Sequence, residues 1–167
     1  MRLFATVALG ALLAASWAGA APRPWVASDK PPVVAGIKLG DSEQHALDVL
    51  GAPDDVVPSA DSEVLQYVAK GLEVTATKKE GVVAIRLLTP DAGAIDGIKV
   101  GDIARDVLLK WGAPSGGQGR IAVFGPPAWT IAVHLADKDP TILDLTLAYR
   151  GANPVTDPSK LNVFKTQ

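Results

Sequence analysis

Residues 36–53 read Gly-Ile-Lys-Leu-Gly-Asp-Ser-Glu-Gln-His-Ala-Leu-Asp-Val-Leu-Gly-Ala-Pro. They return without a gap as residues 97–114, Gly-Ile-Lys-Val-Gly-Asp-Ile-Ala-Arg-Asp-Val-Leu-Leu-Lys-Trp-Gly-Ala-Pro. Nine of the eighteen aligned positions are identical at an offset of 61 residues: Gly, Ile, Lys, Gly, Asp, Leu, Gly, Ala and Pro, in that order. A match of this length in order marks an internal duplication, and a duplicated chain must satisfy the same local geometry twice.

The repeated residues spell a turn, a helix and a stop. Gly40 lets the backbone turn, and Asp41 stands where an N-cap carboxylate accepts from first-turn amides. Gln44, three residues on, completes a capping-box-like pair. Ala46, Leu47 and Leu50 share one helical face, Gly51 sits at the C′ position, and Pro53 prevents the helix from resuming. In the second copy Asp102 takes the cap position, and Ile103, Val107, Leu108 and Trp111 form the stripe. Gly112 and Pro114 supply its stop. A helix of about two and a half turns is unstable alone in water, so each must lie on another element.

That element is a sheet. After a polar loop from Asp54 to Ser62, strands are predicted over 64–69, 72–77 and 82–88. Leu72, Val74 and Ala76 alternate with Glu73, Thr75 and Thr77, the period of a strand with one buried and one wet face. The second copy gives strands over 120–124, 129–135 and 141–149, with Trp129, Ile131, Val133 and Leu135, then Leu143, Leu145, Leu147 and Tyr149, inward. The expected class is α+β: two tandem repeats, each a short helix followed by three antiparallel strands, with the helices packed on one face of the sheet.

The expected organisation places a secretory signal peptide at 1–20 and a Pro-rich extended leader at 21–35. Repeat 1 follows at 36–95, repeat 2 at 96–150, and a loose tail at 151–167. Arg2, the apolar run from Leu3 to Ala15 and Ala18-Gly19-Ala20 supply the three parts of a cleavable signal. The chain has no cysteine, hence no disulfide and no thiol for a lipid anchor. Its net charge of −2 offers nothing to nucleic acid. These features predict a soluble periplasmic or secreted bacterial protein, without a transmembrane anchor once the signal is removed.

The pattern Gly-Ile-x-Leu-Gly-Asp-Ser, a helix ending Leu-Gly-x-Pro and then a β-meander, resembles the β-lactamase-inhibitor-protein-like repeat and the related repeat of SmpA/OmlA-type outer-membrane assembly lipoproteins. The resemblance spans roughly residues 36–89 and 97–149. It implies a non-enzymatic module that binds a periplasmic or envelope protein through its sheet. Ala-Gly-Ile-Lys-Leu-Gly-Asp at 35–41 also looks like a segment of bacterial PDZ domains. The 61-residue period is too short for that domain, and each copy continues into a helix ending Gly-Ala-Pro.

The titratable residues fall into no catalytic constellation. Asp41 and Asp102 recur in both copies, yet capping already explains them. His45 and His134 are the two histidines and fall at non-equivalent positions, without the converging partners of a metal or base site. Ser115-Gly116-Gly117-Gln118-Gly119 follows a helix and precedes a strand, the reverse of a phosphate cradle, and reads as a flexible loop. No catalytic, metal or cofactor-binding residue is therefore expected. The candidate partner-binding residues lie on the outward strand faces: Gln66, Glu73, Thr75, Arg86, Thr130, His134, Asp144 and Thr146. The alternative is a small-ligand carrier with an apolar pocket between the repeats, near Trp111 and Trp129.

Overall fold

The duplicated turn is built the same way twice in the computed structural model of the chain, which describes residues 30–149. Val34 and Ile37 form an isolated antiparallel bridge, and so do Ile95 and Ile98. Asp41 Oδ2 accepts from the Lys38 amide at 2.9 Å, and Asp102 Oδ2 accepts from the Lys99 amide at 2.8 Å. The two aspartates thus close the turn and do not cap the helices. Ser42 caps the first helix instead, its Oγ accepting from the His45 amide at 3.1 Å, and Ile103 caps the second without a side-chain bond. Gln44 donates to Asp48, so no capping box forms.

Helix α1 spans Glu43–Leu50 and α2 spans Ala104–Trp111. Each ends at a glycine with positive φ, Gly51 at 83° and Gly112 at 76°, whose amide donates to Leu47 O or Leu108 O. Ala46, Leu50, Val107 and Trp111 are the buried helix positions. The expected stripe of α2 is narrower than its sequence suggests, because Ile103 and Leu108 are exposed.

Eight strands follow: β1 Asp55–Pro58, β2 Ser62–Tyr67, β3 Leu72–Thr77, β4 Gly81–Leu87, β5 Gly116–Gln118, β6 Ile121–Phe124, β7 Trp129–Leu135 and β8 Ile142–Tyr149. They form one antiparallel sheet in the order β1-β2-β3-β4-β8-β7-β6-β5. This corrects the expectation of two tandem units with three strands each: the fold is mostly sheet, with four strands per half and only two short helices among the described residues. The two missed strands were read as loops for a physical reason. β1 is four exposed residues ending in Pro58, and β5 is three exposed residues with two glycines. Edge strands of this kind bury no face and so carry no hydrophobic period. The expected signal peptide, residues 21–29 of the Pro-rich leader and the expected C-terminal tail lie outside the described residues.

The halves join where β4 pairs with β8. Ile85↔Leu147 and Leu87↔Leu145 flank the pair Arg86↔Thr146. The two central strands are buried along most of their length, on both faces, as expected of strands far from either edge. One hydrophobic cluster runs through both halves, from Leu65, Val74 and Ile85 to Trp111, Ile131, Val133 and Leu147. Trp111 and Phe124 meet edge to face with centroids 5.4 Å apart, a favourable aromatic geometry.

Two bulges adjust which side chains face in. The register shifts between Thr75 and Ala76 against β4, and between His134 and Leu135 against β8. Ile142, and not the expected Leu143, therefore enters the core, and Leu143 is 47% exposed.

Candidate functional site

The eight candidate residues fall on β2, β3, β4, β7 and β8, on the face turned away from the hydrophobic cluster. Alternation and register put them there: Gln66 pairs with Glu73, Glu73 with Arg86, Arg86 with Thr146, and Thr146 with Ala132. Directly paired residues share a face. One row thus crosses the centre of the sheet and both halves. A second row beside it runs Thr75, Ala84, Ala148, Thr130, and His134 pairs with Asp144 across β7 and β8.

Five of the eight side chains are brought together as a chain of contacts. Gln66 Nε2 donates to Glu73 Oε1 at 3.0 Å. Arg86 Nη1 lies 3.5 Å from Glu73 Oε2. On its other side the guanidinium forks onto Asp144, Nε to Oδ1 at 3.4 Å and Nη2 to Oδ2 at 3.1 Å. Asp144 Oδ2 is also 3.0 Å from His134 Nδ1. Thr146 sits in the row opposite Arg86, and Thr75 and Thr130 flank it half-buried.

This outer face is less open than the alternation predicts. Gln66 is 2% exposed, Glu73 6%, Thr146 7% and Asp144 9%. The expectation that all eight line a wet surface is corrected for these four. Ala84 and Ala148 in the adjacent row are buried as well. Charges held in such surroundings lose hydration and depend on one another for compensation, and Arg86 between two carboxylates provides it. Gln66 Oε1 is buried and has no hydrogen-bond partner among the described residues.

The remaining candidates resolve differently. Trp111 and Trp129 are fully buried in the core, with Trp111 Nε1 donating to Asp96 Oδ2 at 3.0 Å. His45 lies at the surface, 3.7 Å from Asp41. An open groove of about 720 Å³ lies at one corner of the sheet, lined by Pro58, Asp61, Glu63, Ala76 and Lys79 among others. None of the eight candidate residues lines it. Sequence reasoning passed over a carboxylate pair near that corner, Glu43 of α1 and Glu63 of β2. Their shared hydrogen bond, then loss of hydration, then mutual repulsion raise the Glu43 carboxyl above its ordinary range. Nothing in the spacing of residues 43 and 63 announces it, because the contact needs the helix folded onto the sheet.

No family model matches the chain, and no curated protein matches it. Among solved structures it is similar to a cysteine-rich secretory protein from Staphylococcus aureus subsp. aureus Mu50. The TM-score is 0.59 at 13% identity, over 73% of this chain and 48% of that one. At this identity the likeness is one of fold. Two further structures are similar at TM-scores below one half. An extracellular protein containing an SCP domain from Bacillus anthracis str. Ames gives 0.47 at 13% identity, over 76% of this chain and 49% of that one. A DUF4309 family protein from Bacillus subtilis subsp. subtilis str. 168 gives 0.48 at 10% identity, over 65% and 78%. The chain matches about half the length of the first two. No helix among the described residues is long and apolar enough to cross a membrane.

Proposed function

We propose that this chain is an exported, non-enzymatic binding module of the duplicated inhibitor-like kind, which engages a protein of the bacterial envelope or its surroundings through the outer face of its sheet. One observation carries the reading. The row Gln66, Glu73, Arg86, Asp144, His134 spans both halves on the face opposite the helices. A row of buried ionic groups is a poor way to stabilise a sheet, since well-packed apolar residues often do as well or better. Side chains that hold charges in fixed positions on an otherwise small-residue surface suit recognition. Export agrees with the signal-like N-terminus and the absence of cysteine. The fold neighbour from Staphylococcus aureus is described as secretory.

The test uses the rim and leaves the buried row alone. Thr75→Arg with Thr130→Arg places two long side chains over the face from half-buried positions. The variant is expected to keep the parent melting temperature within a few degrees and to lose the partner recovered by the parent from an envelope extract. Equal recovery by a folded variant overturns the sheet-face reading.

A further inference from the structure

We infer that the β5 edge of the sheet is a junction for a second copy of this chain, which joins by antiparallel pairing of β5 with β5 and makes one sheet across a two-fold dimer. The inference goes beyond the outer-face reading and uses other residues. The duplication supplies the comparison that carries it, because each half has the same helix followed by the same edge strand.

In an antiparallel pair, residues alternate between those bonded to their partner and those whose N–H and C=O point away from it. The Ser59 amide donates to Ser62 O at 2.7 Å, which closes the β1–β2 hairpin and sets the phase. Counting back along the register, Val57 and Asp55 bond to β2, and Val56 and Pro58 point off the edge. Neither offers a donor there. The Val56 amide is taken by Asp55 Oδ1 at 2.8 Å, and Pro58 has no N–H. The first edge is closed.

The offset of 61 residues carries Asp55, Val56 and Pro58 onto Gly116, Gly117 and Gly119. The phase is kept, since the equivalent Asp54 and Ser115 amides donate to Gln66 O and Val123 O, both at 2.8 Å. Gly117 is therefore the residue whose N–H and C=O point off β5, and both devices that close β1 are gone. Gly117 has a local reason to be glycine: a Cβ there would lie 2.5 Å from Ile121 O. Gly116 has none. Its φ is not positive, and a Cβ there meets nothing within 4 Å. The hairpin would accept a blocking side chain at this position, as at Asp55, and does not carry one. An edge left open in this way is a template for another strand.

The helix beside it differs in the same sense. Leu109 of α2 is 74% exposed and Leu108 49%, where α1 has the exposed Asp48 and the half-buried Leu47. Both leucines lie in the last turn of α2, whose Trp111 packs on Phe124 of β6, the strand next to β5. Two-fold pairing centred on Gly117 exchanges its N–H and C=O with those of the second copy's Gly117. It also brings the second α2 onto the same face of the joined sheet. β5 carries no charge, so the junction opposes no like charges within the paired strands. A specific interface takes about 800 Å² from each partner. The edge of a 3-residue strand falls short of that alone, and the apolar turn of α2 adds to it.

The experiment follows the mass of the purified protein by sedimentation over a concentration series reaching the millimolar range. Two variants restore first-half residues. Gly116→Asp transfers the carboxylate that closes β1, and Leu109→Asp transfers the residue of α1. The parent is expected to double its mass as concentration rises. Each variant is expected to weaken the association roughly tenfold or more, with its melting curve at low concentration in place. Gly116→Ala, which adds no acceptor, should associate like the parent, and amide exchange at Gly117 should slow as the parent associates. A parent that stays monomeric overturns the inference and leaves the edge to an extended segment of another protein. Association that Gly116→Asp leaves unchanged, or that does not slow Gly117, also overturns it, because the copies then meet elsewhere. Neither result bears on the outer face, whose test lies at Thr75 and Thr130.

Discussion

Arg86 of the first half holds Asp144 of the second across the central strands, Nη2 to Oδ2 at 3.1 Å and Nε to Oδ1 at 3.4 Å. The contact is 58 residues apart in sequence, so it forms only when β4 and β8 lie side by side. With side-chain exposures of 13% and 12%, removing one partner strands the other in a poorly hydrated place. Arg86→Ala or Asp144→Ala is expected to cost about 2–4 kcal/mol by urea denaturation. The double variant should cost less than the sum, since it removes Asp144 together with the guanidinium that compensates it. Strict additivity would show that the two do not depend on each other.

Glu43 and Glu63 give a pH dependence with a definite sign. A carboxyl whose folded-state pKa is raised binds its proton more readily in the folded chain than in the unfolded one. Folding is therefore disfavoured by this pair at neutral pH and relieved as the pH falls through the raised Glu43 value. Glu63→Gln is expected to bring the Glu43 titration, followed by carboxyl NMR, back toward its ordinary range. It should also reduce the gain in stability on mild acidification. An unchanged Glu43 titration would contradict the pairing.

Gly81 is required by close approach as well as by its φ of 68°. A Cβ there would lie 2.2 Å from Asp41 O, the carbonyl that accepts from the Val82 amide and ties the repeated turn to β4. Gly81→Ala should destabilise by roughly 1–3 kcal/mol. Gly116→Ala, where a Cβ meets nothing within 4 Å, should stay within about 0.5 kcal/mol. Thermal melts of the two variants measure the difference.

Trp111 joins α2 to the second half of the sheet through its contact with Phe124 and its bond to Asp96. Trp111→Ala should cost about 3–5 kcal/mol through the cavity it opens. Trp111→Phe, which keeps a ring but loses the indole donor, should cost less. Equal losses in calorimetry would show that packing at this site counts for little.

The sequence alone carried the local geometry. The two glycine stops, both helices, the cores of six strands and the outward placement of Gln66, Glu73, Arg86 and Asp144 all follow from caps, breakers and a two-residue period, which depend on near neighbours. It erred where the cause was not local. Asp41 looked like a cap because Asp caps many helices, yet its carboxylate closes the turn and Ser42 caps instead. β1 and β5 lacked a period because their residues bury nothing. Leu143 was placed inward until the bulge at His134 and Leu135 shifted the register.

What only the tertiary structure decided is how the two copies meet. The duplicated stretch from Gly36 to Pro53 fixes a turn, a helix and a stop, and these leave open which strands will become neighbours. Pairing β4 with β8 makes one eight-stranded sheet, sets Arg86 between Glu73 and Asp144, and buries charged side chains that alternation had assigned to water. Strand pairing between distant segments is settled by the burial of whole faces, and no window of neighbouring residues contains that information.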